Sequence, residues 1–148
     1  MNGTEDDALE YDFEKTPARR GRVTAVRGSI IDVAYEEEIP SMRTLLVDAD
    51  QEVVAEVLAH REGGEVRAIA MTGTAGVERG EVFWNTRQTL SVPVGDEVLG
   101  RMLDVFGEPI DGGESLGEAP KRSIYRRPIP LGEQSSSSDL FETGIKVV

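Results

Sequence analysis

Residues 21–35 read Gly-Arg-Val-Thr-Ala-Val-Arg-Gly-Ser-Ile-Ile-Asp-Val-Ala-Tyr, and this stretch decides the fold. Val23 and Ala25, then Ile31, Val33 and Tyr35, alternate with polar or solvent-facing neighbours, which is the period of a half-buried strand. Gly28-Ser29 between the halves predicts a turn or a bulge. The same alternation recurs downstream. Thr44 to Val47 is a third short strand, closed by the turn Asp48-Ala49-Asp50. Glu52 to His60 is the longest candidate, with Val53, Ala55, Val57 and Ala59 expected on one face. Glu62-Gly63-Gly64 turns the chain into Val66, Ala68 and Ala70, and Val77 to Gly80 turns it again before Val82-Phe83. Short strands with turn signals every 8–12 residues or so predict a small closed antiparallel barrel or a sandwich. Closure would also hide the edge strands, and no helical periodicity competes.

Composition narrows the function. The 148 residues carry 28 acids and 16 bases, a formal net charge of −12. That balance argues against nucleic-acid binding, which needs clustered Lys and Arg, and eight aromatics without basic interleaving argue the same way. An acidic chain of this kind associates best with a more basic surface. There is no cysteine, so disulfides and thiolate metal sites are excluded. No apolar run approaches the roughly 20 residues of a membrane helix, and no secretory signal is visible. The single histidine, His60, follows an apolar strand and reads as structural.

Residues 1–20 read as an acidic tail, with Glu5, Asp6, Asp7, Glu10, Asp12 and Glu14 and no periodicity, and are expected to stay disordered. Tyr11 and Phe13 offer a second reading, docking on a partner. Residues 21–94 are the expected barrel. The stretch from Ser91 to Gly113 then punctuates the chain: Pro93 removes a backbone donor, so Leu90 to Val94 suits an edge strand or a domain exit, with a boundary at or just after Val94. Lys121, Arg122, Arg126 and Arg127 form the one basic cluster, followed by Pro128 and Pro130. It reads either as a solvated connector or as a strip that packs on an acidic surface of the same or a neighbouring chain. Beyond it come a polar loop at Gln134 to Ser138, a cap at Asp139, and an apolar stretch at Gly144 to Val148.

The search for chemistry finds turns in place of sites. Gly112 to Gly117 fits G-x-x-x-x-G, but Glu118-Ala119 stands where a phosphate loop needs Lys and Ser or Thr, and a carboxylate there repels phosphate. Asp104, Glu108 and Asp111 lie near one another in sequence, yet Asp and Gly beside Pro make turns. Glu36-Glu37-Glu38 reads as an exposed loop, because consecutive acids diverge in direction. No catalytic, cofactor-binding or metal-ligating residue is assigned.

The run Val92 to Asp111, VPVG-x₄-LGR-x₄-FGEPID, resembles the β subunits of F-type ATP synthases. Gly21-Arg22-Val23 with Gly28 to Val33, Val66 to Met71, Gly76 to Gly80, and Glu142 to Val147 resemble landmarks of that family in the same order, so the resemblance covers residues 21–148. Phe106 departs from it, standing where a smaller aliphatic is usual. The α subunit and the vacuolar-type and flagellar-export ATPases share the architecture, and the Gly-Glu-Pro-Ile-Asp form with Glu108, and Glu142 before Thr-Gly-Ile-Lys, favour β over α.

The resemblance implies a mainly β chain: a six-stranded N-terminal barrel, then residues 95–148 as the incomplete beginning of an α/β nucleotide-binding domain. It implies ATP synthesis or hydrolysis coupled to transmembrane proton or sodium flow, at the cytoplasmic side of the membrane and without direct insertion. The partners implied are α subunits alternating in a ring, with further stalk subunits. The family's ATP/ADP and Mg²⁺ residues follow the last matched landmark, so the expectation is a fragment of a longer subunit, without cofactor or ATPase activity of its own. Its role would then be ring assembly. The alternative is a stand-alone barrel that binds a partner. In a fragment, residues 95–148 are expected to be less well ordered than the barrel, with Leu99, Met102, Leu103 and Val105 lacking a full core because their partners in the central domain are missing.

Overall fold

The computed structural model describes residues 15–117 and 119–134. Of the expected tail 1–20, residues 1–14 lie outside the described residues, while 15–20 carry a 3₁₀ turn and the start of the first strand; the loop and cap at 135–139, the landmark at Glu142 to Val147 and Glu118 also lie outside the described residues.

A 3₁₀ turn at Pro17–Arg19 leads into β1 (Arg20–Arg27), followed by β2 (Ile30–Tyr35), β3 (Thr44–Val47), β4 (Val54–His60), β5 (Glu65–Ala70) and β6 (Val82–Thr89). They close into a barrel in the order β1-β2-β5-β4-β3-β6, with every pairing antiparallel. The expected six-stranded barrel is therefore present. Gly28-Ser29 is a two-residue hairpin turn: Gly28 has φ 62°, which a first central hairpin residue without Cβ adopts freely. The bulge lies earlier, where the register slips between Val23 and Ala25.

Inward positions fill the barrel. Val23, Ile31, Val33, Tyr35, Leu46, Val53, Ala55, Val57, Val66, Ala68 and Phe83 form one buried cluster. At its centre the Tyr35 hydroxyl reaches the Phe83 carbonyl at 3.3 Å, and burial holds the phenol far above its ordinary pKa, so it stays a donor. Gly21 sits opposite Tyr35 in the β1–β2 ladder, and a Cβ there would lie 2.5 Å from the Tyr35 ring.

Ala59 corrects the alternation. A register shift between Val57 and Ala59 breaks the period, so Leu58 and Ala59 are both exposed while Val53, Ala55 and Val57 are buried. β6 follows the expected turn at Val77 to Gly80 and runs from Val82 to Thr89. Its length is needed because its start pairs with β1 and its remainder with β3, closing the barrel.

After the barrel, β7 (Ser91–Pro93) pairs antiparallel with β8 (Lys121–Ser123) in a separate two-stranded sheet. Pro93 lies on an edge, where its missing N–H costs nothing. Flanking bonds from Val94 N to Pro120 O (2.9 Å) and from Ile124 N to Leu90 O (3.1 Å) extend the ladder.

Candidate functional site

The loop between β7 and β8 is a strap on the outer wall of the barrel. Leu45, Val47 and Val54 point outward from β3 and β4, opposite the inward Leu46 and Ala55. They are fully buried all the same, because Leu90 and Phe106 cover them, with Met71 and Trp84 packed alongside. This outer cluster makes Thr44–Val47 buried at every position.

Phe106 is delivered there by a tight hairpin. Asp104 Oδ1 accepts from the backbone N–H groups of Phe106 (2.8 Å) and Glu108 (2.9 Å), and Asp104 N donates to Glu108 O at 2.9 Å. Gly107 takes φ 91° and presses on Pro93, where a Cβ would come within 2.1 Å of Pro93 Cδ. At the base, Arg101 Nε donates to Asp111 Oδ2 at 2.7 Å and its Nη2 to Asp111 Oδ1 at 3.1 Å. Asp111 also accepts from Met102 N and Gly113 N. Arg101, aided by those two backbone donors, holds the Asp111 carboxyl well below the usual carboxylate range. The acids Asp104, Glu108 and Asp111 thus build a turn, as their sequence context predicts. Gly112 to Gly117 is irregular, with no strand leading into it.

A second fastening lies at the far end of the strap. The Tyr125 hydroxyl donates to Glu56 Oε1 at 2.6 Å, and Arg43 stacks over the Tyr125 ring with its guanidinium carbon 4.4 Å from the centroid. Glu56 is an outward residue of β4 that is nevertheless only 8% exposed. The bond to Glu56, followed by desolvation, raises the Tyr125 pKa, so the phenol remains the donor.

Two charged groups on the barrel wall escape a reading by sequence. Asp32, 3% exposed, accepts two bonds from Arg67 (2.7 and 2.9 Å) and one from Arg27 (2.9 Å). The Arg67 bond is the main cause of its lowered pKa. Arg87 forms a bidentate pair with Glu38, which also accepts from Asn85 at 3.0 Å, and Arg87 lowers the Glu38 pKa. The signal for the first pair was a lone acid inside β2, opposite an arginine in the facing strand. His60 Nε2 meets Pro40 O at 2.7 Å, tying β4 to the loop before β3.

The remaining surface is for contact. Leu99, Met102 and Val105 of the strap are 72%, 61% and 55% exposed, whereas Leu103, expected to lack a full core with them, is half-buried and bridges to Pro109; Ile110, Ile129 and Leu131 are also open. On the barrel, Ile39 and Met42 protrude from the loop before β3. Lys121, Arg122, Arg126 and Arg127 are all exposed. Among the described residues, no three His, Cys, Asp or Glu side chains gather as a metal would require, and no helix is long and apolar enough to cross a membrane.

Comparison with known proteins agrees with this architecture. Residues 23–83, from β1 into β6, match the ATP synthase alpha/beta family, beta-barrel domain. The chain is 44% identical over 135 residues to "ATP synthase subunit beta 2" of Albidiferax ferrireducens, covering 91% of this chain and 26% of that protein. It is 44% identical over 131 residues to "ATP synthase subunit beta 2" of Chlorobium luteolum, covering 88% of this chain and 28% of that protein. It is 45% identical over 133 residues to "ATP synthase subunit beta 2" of Burkholderia thailandensis, covering 86% of this chain and 26% of that protein. The chain therefore spans about a quarter of the length of the curated relatives it matches.

Proposed function

The chain belongs to the ATP synthase alpha/beta family through its barrel domain, and from that premise we propose that it is the assembly segment of the β subunit of a rotary F-type ATP synthase. The observation that carries the reading is the coincidence of the closed barrel, Arg20 to Thr89, with the matched residues 23–83. A closed barrel has no free edges to pair with a strand, so it offers side-chain surfaces and rigid loops for docking. In this reading barrels of β and α subunits alternate in a ring, and the complete subunit makes or hydrolyses ATP coupled to proton or sodium flow. The ring then sits peripherally at the cytoplasmic side of the membrane. Residues 21–94 act as the barrel and residues from 95 onward as the start of the nucleotide-binding domain. The barrel sheet itself ends with β6, and β7, within residues 21–94, pairs with β8 of the later part, so a small shared sheet joins the two parts.

ATP/ADP and Mg²⁺ would be held by the complete subunit. The donor chemistry of residues 15–134 does not fit them: no G-x-x-x-x-G-K occurs there, and the Asp104 and Asp111 carboxylates are taken up by bonds within the hairpin. We derive no chemical step from these residues.

The test is native mass spectrometry of this chain mixed with a family α subunit, alongside a Mg-ATP titration of the chain alone. Mixed α–β species without nucleotide binding by the isolated chain are expected. A chain that ignores α and binds a different protein would favour the stand-alone barrel. Tight Mg-ATP binding would defeat the assembly-only assignment.

A further inference from the structure

We propose that the acidic residues 5–14 of this chain dock on its own basic strip, Lys121, Arg122, Arg126 and Arg127. The strip puts four cations within seven residues of extended chain, followed by two prolines. Among the described residues none of the four forms an ion pair or a side-chain hydrogen bond, and all are exposed. Yet they belong to a chain of net charge −12. Four uncompensated cations on an acidic protein make a local field that favours an anionic occupant.

The first fourteen residues are opposite to it in charge. They contain Glu5, Asp6, Asp7, Glu10, Asp12 and Glu14 and no Lys or Arg, so they hold six of the twelve net negative charges. Tyr11 and Phe13 alternate with three of those acids. Aromatic rings beside carboxylates suit guanidinium groups, which pair with one and stack on the other. The same combination already exists next to the strip, where Arg43 covers Tyr125 and Tyr125 meets Glu56.

Geometry allows the contact within one chain. Lys15 Nζ bonds to Ala49 O at 3.0 Å, which sets the starting point of the segment just past the end of β3. The strip adjoins Arg43, at the opposite end of β3. Six residues of extended chain separate Ala49 from Arg43, at most about 20 Å, whereas fourteen residues span up to about 46 Å. Tethering gives the segment an effective concentration in the millimolar range, ahead of any free acidic protein.

Zero-length carbodiimide cross-linking tests this, because Lys121 is the one amine in the strip. A cross-link within monomeric chains from Lys121 to residues 5–14 is expected, with its yield falling several-fold between about 20 mM and 0.5 M salt. Lys121→Arg should abolish it. Cross-links confined to dimers and rising with protein concentration would assign the strip to a second copy and overturn the proposal. So would cross-links from Lys121 to barrel acids alone, or none.

Heparin retention gives an independent readout. Neutralising the six acids to Asn and Gln should raise the salt needed for elution. That gain should vanish when Lys121, Arg122, Arg126 and Arg127 are all changed to Gln. An equal gain in both backgrounds would reflect net charge alone and would also overturn the proposal.

Discussion

The Tyr125 hydroxyl bonds to the Glu56 carboxylate at 2.6 Å across 69 residues of sequence, and the pair fastens the chain beyond the barrel to the outside of the barrel wall. Glu56 would otherwise be a nearly buried carboxylate without a donor on that oxygen. The bond therefore does two things: it satisfies an acid that the strap covers, and it fixes where the strap lies. Tyr125→Phe keeps the ring under Arg43 and removes only the donor. Hydrogen bonds to charged groups contribute about 1.5–3 kcal/mol, less where water reaches them, so a loss of about 1–2 kcal/mol is expected. Urea denaturation should show it, and Glu56→Gln should lose less because an amide oxygen still accepts the bond. Equal stability of Tyr125→Phe and the parent would remove the fastening role.

Phe106 is the other fastening, and the chain carries its own reporter for it. Trp84 is the single tryptophan and packs against the cluster that Phe106 completes. Its Nε1 is buried with no partner among the described residues, so it is sensitive to any water admitted there. Phe106→Ala should cost about 3 kcal/mol, the low end for a buried Phe, because the strap can partly collapse onto the gap. Trp84 emission should shift to the red while the barrel's far-ultraviolet signal persists. An unchanged emission maximum would mean that Phe106 does not shield the indole.

Gly107 should tolerate no side chain. Its φ of 91° lies where L residues are strained, and Pro93 blocks the Cβ position. Gly107→Ala is expected to lose about 2 kcal/mol or more, since strain and clash add. Gly112, with φ 72° and open space around it, isolates the strain alone. Gly112→Ala should lose about half as much or less in the same thermal melts, and equal losses would discount the contact with Pro93.

The barrel was legible because β1, β2 and β5 turn Val23, Ile31, Val33, Val66 and Ala68 inward in a period of two. β3 obeys a different rule. Leu45, Leu46 and Val47 run on without alternation because the barrel interior takes one face and the strap takes the other. A sequence shows such a run but not what lies on its second side. Leu90 and Phe106 meet β3 across stretches of chain longer than any local periodicity, and Tyr125 finds Glu56 the same way. Asp32 was hidden for a related reason: an acid at an outward position of β2 looks solvated until Arg67 and Arg27 close over it. The hairpin at Asp104 to Asp111 was readable, since Asp, Gly and Pro specify its bonds locally.

Acid should weaken the fold through three depressed carboxylates. Asp32 is held down first by Arg67, Glu38 by Arg87 and Asp111 by Arg101. A group whose folded pKa lies below its unfolded one contributes stability above the unfolded value, and that contribution is lost as pH falls towards the folded value. Stability from these groups should therefore be flat from about pH 5 to 7 and decline below about pH 4. Asp32→Asn should lower stability at pH 7 and flatten the acid limb, and the two curves should converge near pH 2–3. Parallel curves would show that Asp32 carries none of the pH dependence.

Hydrogen exchange should separate the barrel from the strap. Barrel amides are tied into six mutually closed ladders around an apolar interior, so they exchange by opening of the whole unit. The strap holds to that unit through Leu90, Phe106 and the Tyr125–Glu56 bond, while Leu99, Met102 and Val105 face solvent. With fewer buried contacts per residue, its amides at Met102, Ile110 and Val94 should exchange at least about tenfold faster than those of β2 and β5. Adding an α partner should protect the strap only if the partner covers its apolar residues, which makes the same measurement a map of the docking face. Uniform protection of strap and barrel in the isolated chain would show that they open as one unit and would defeat the division at Val94.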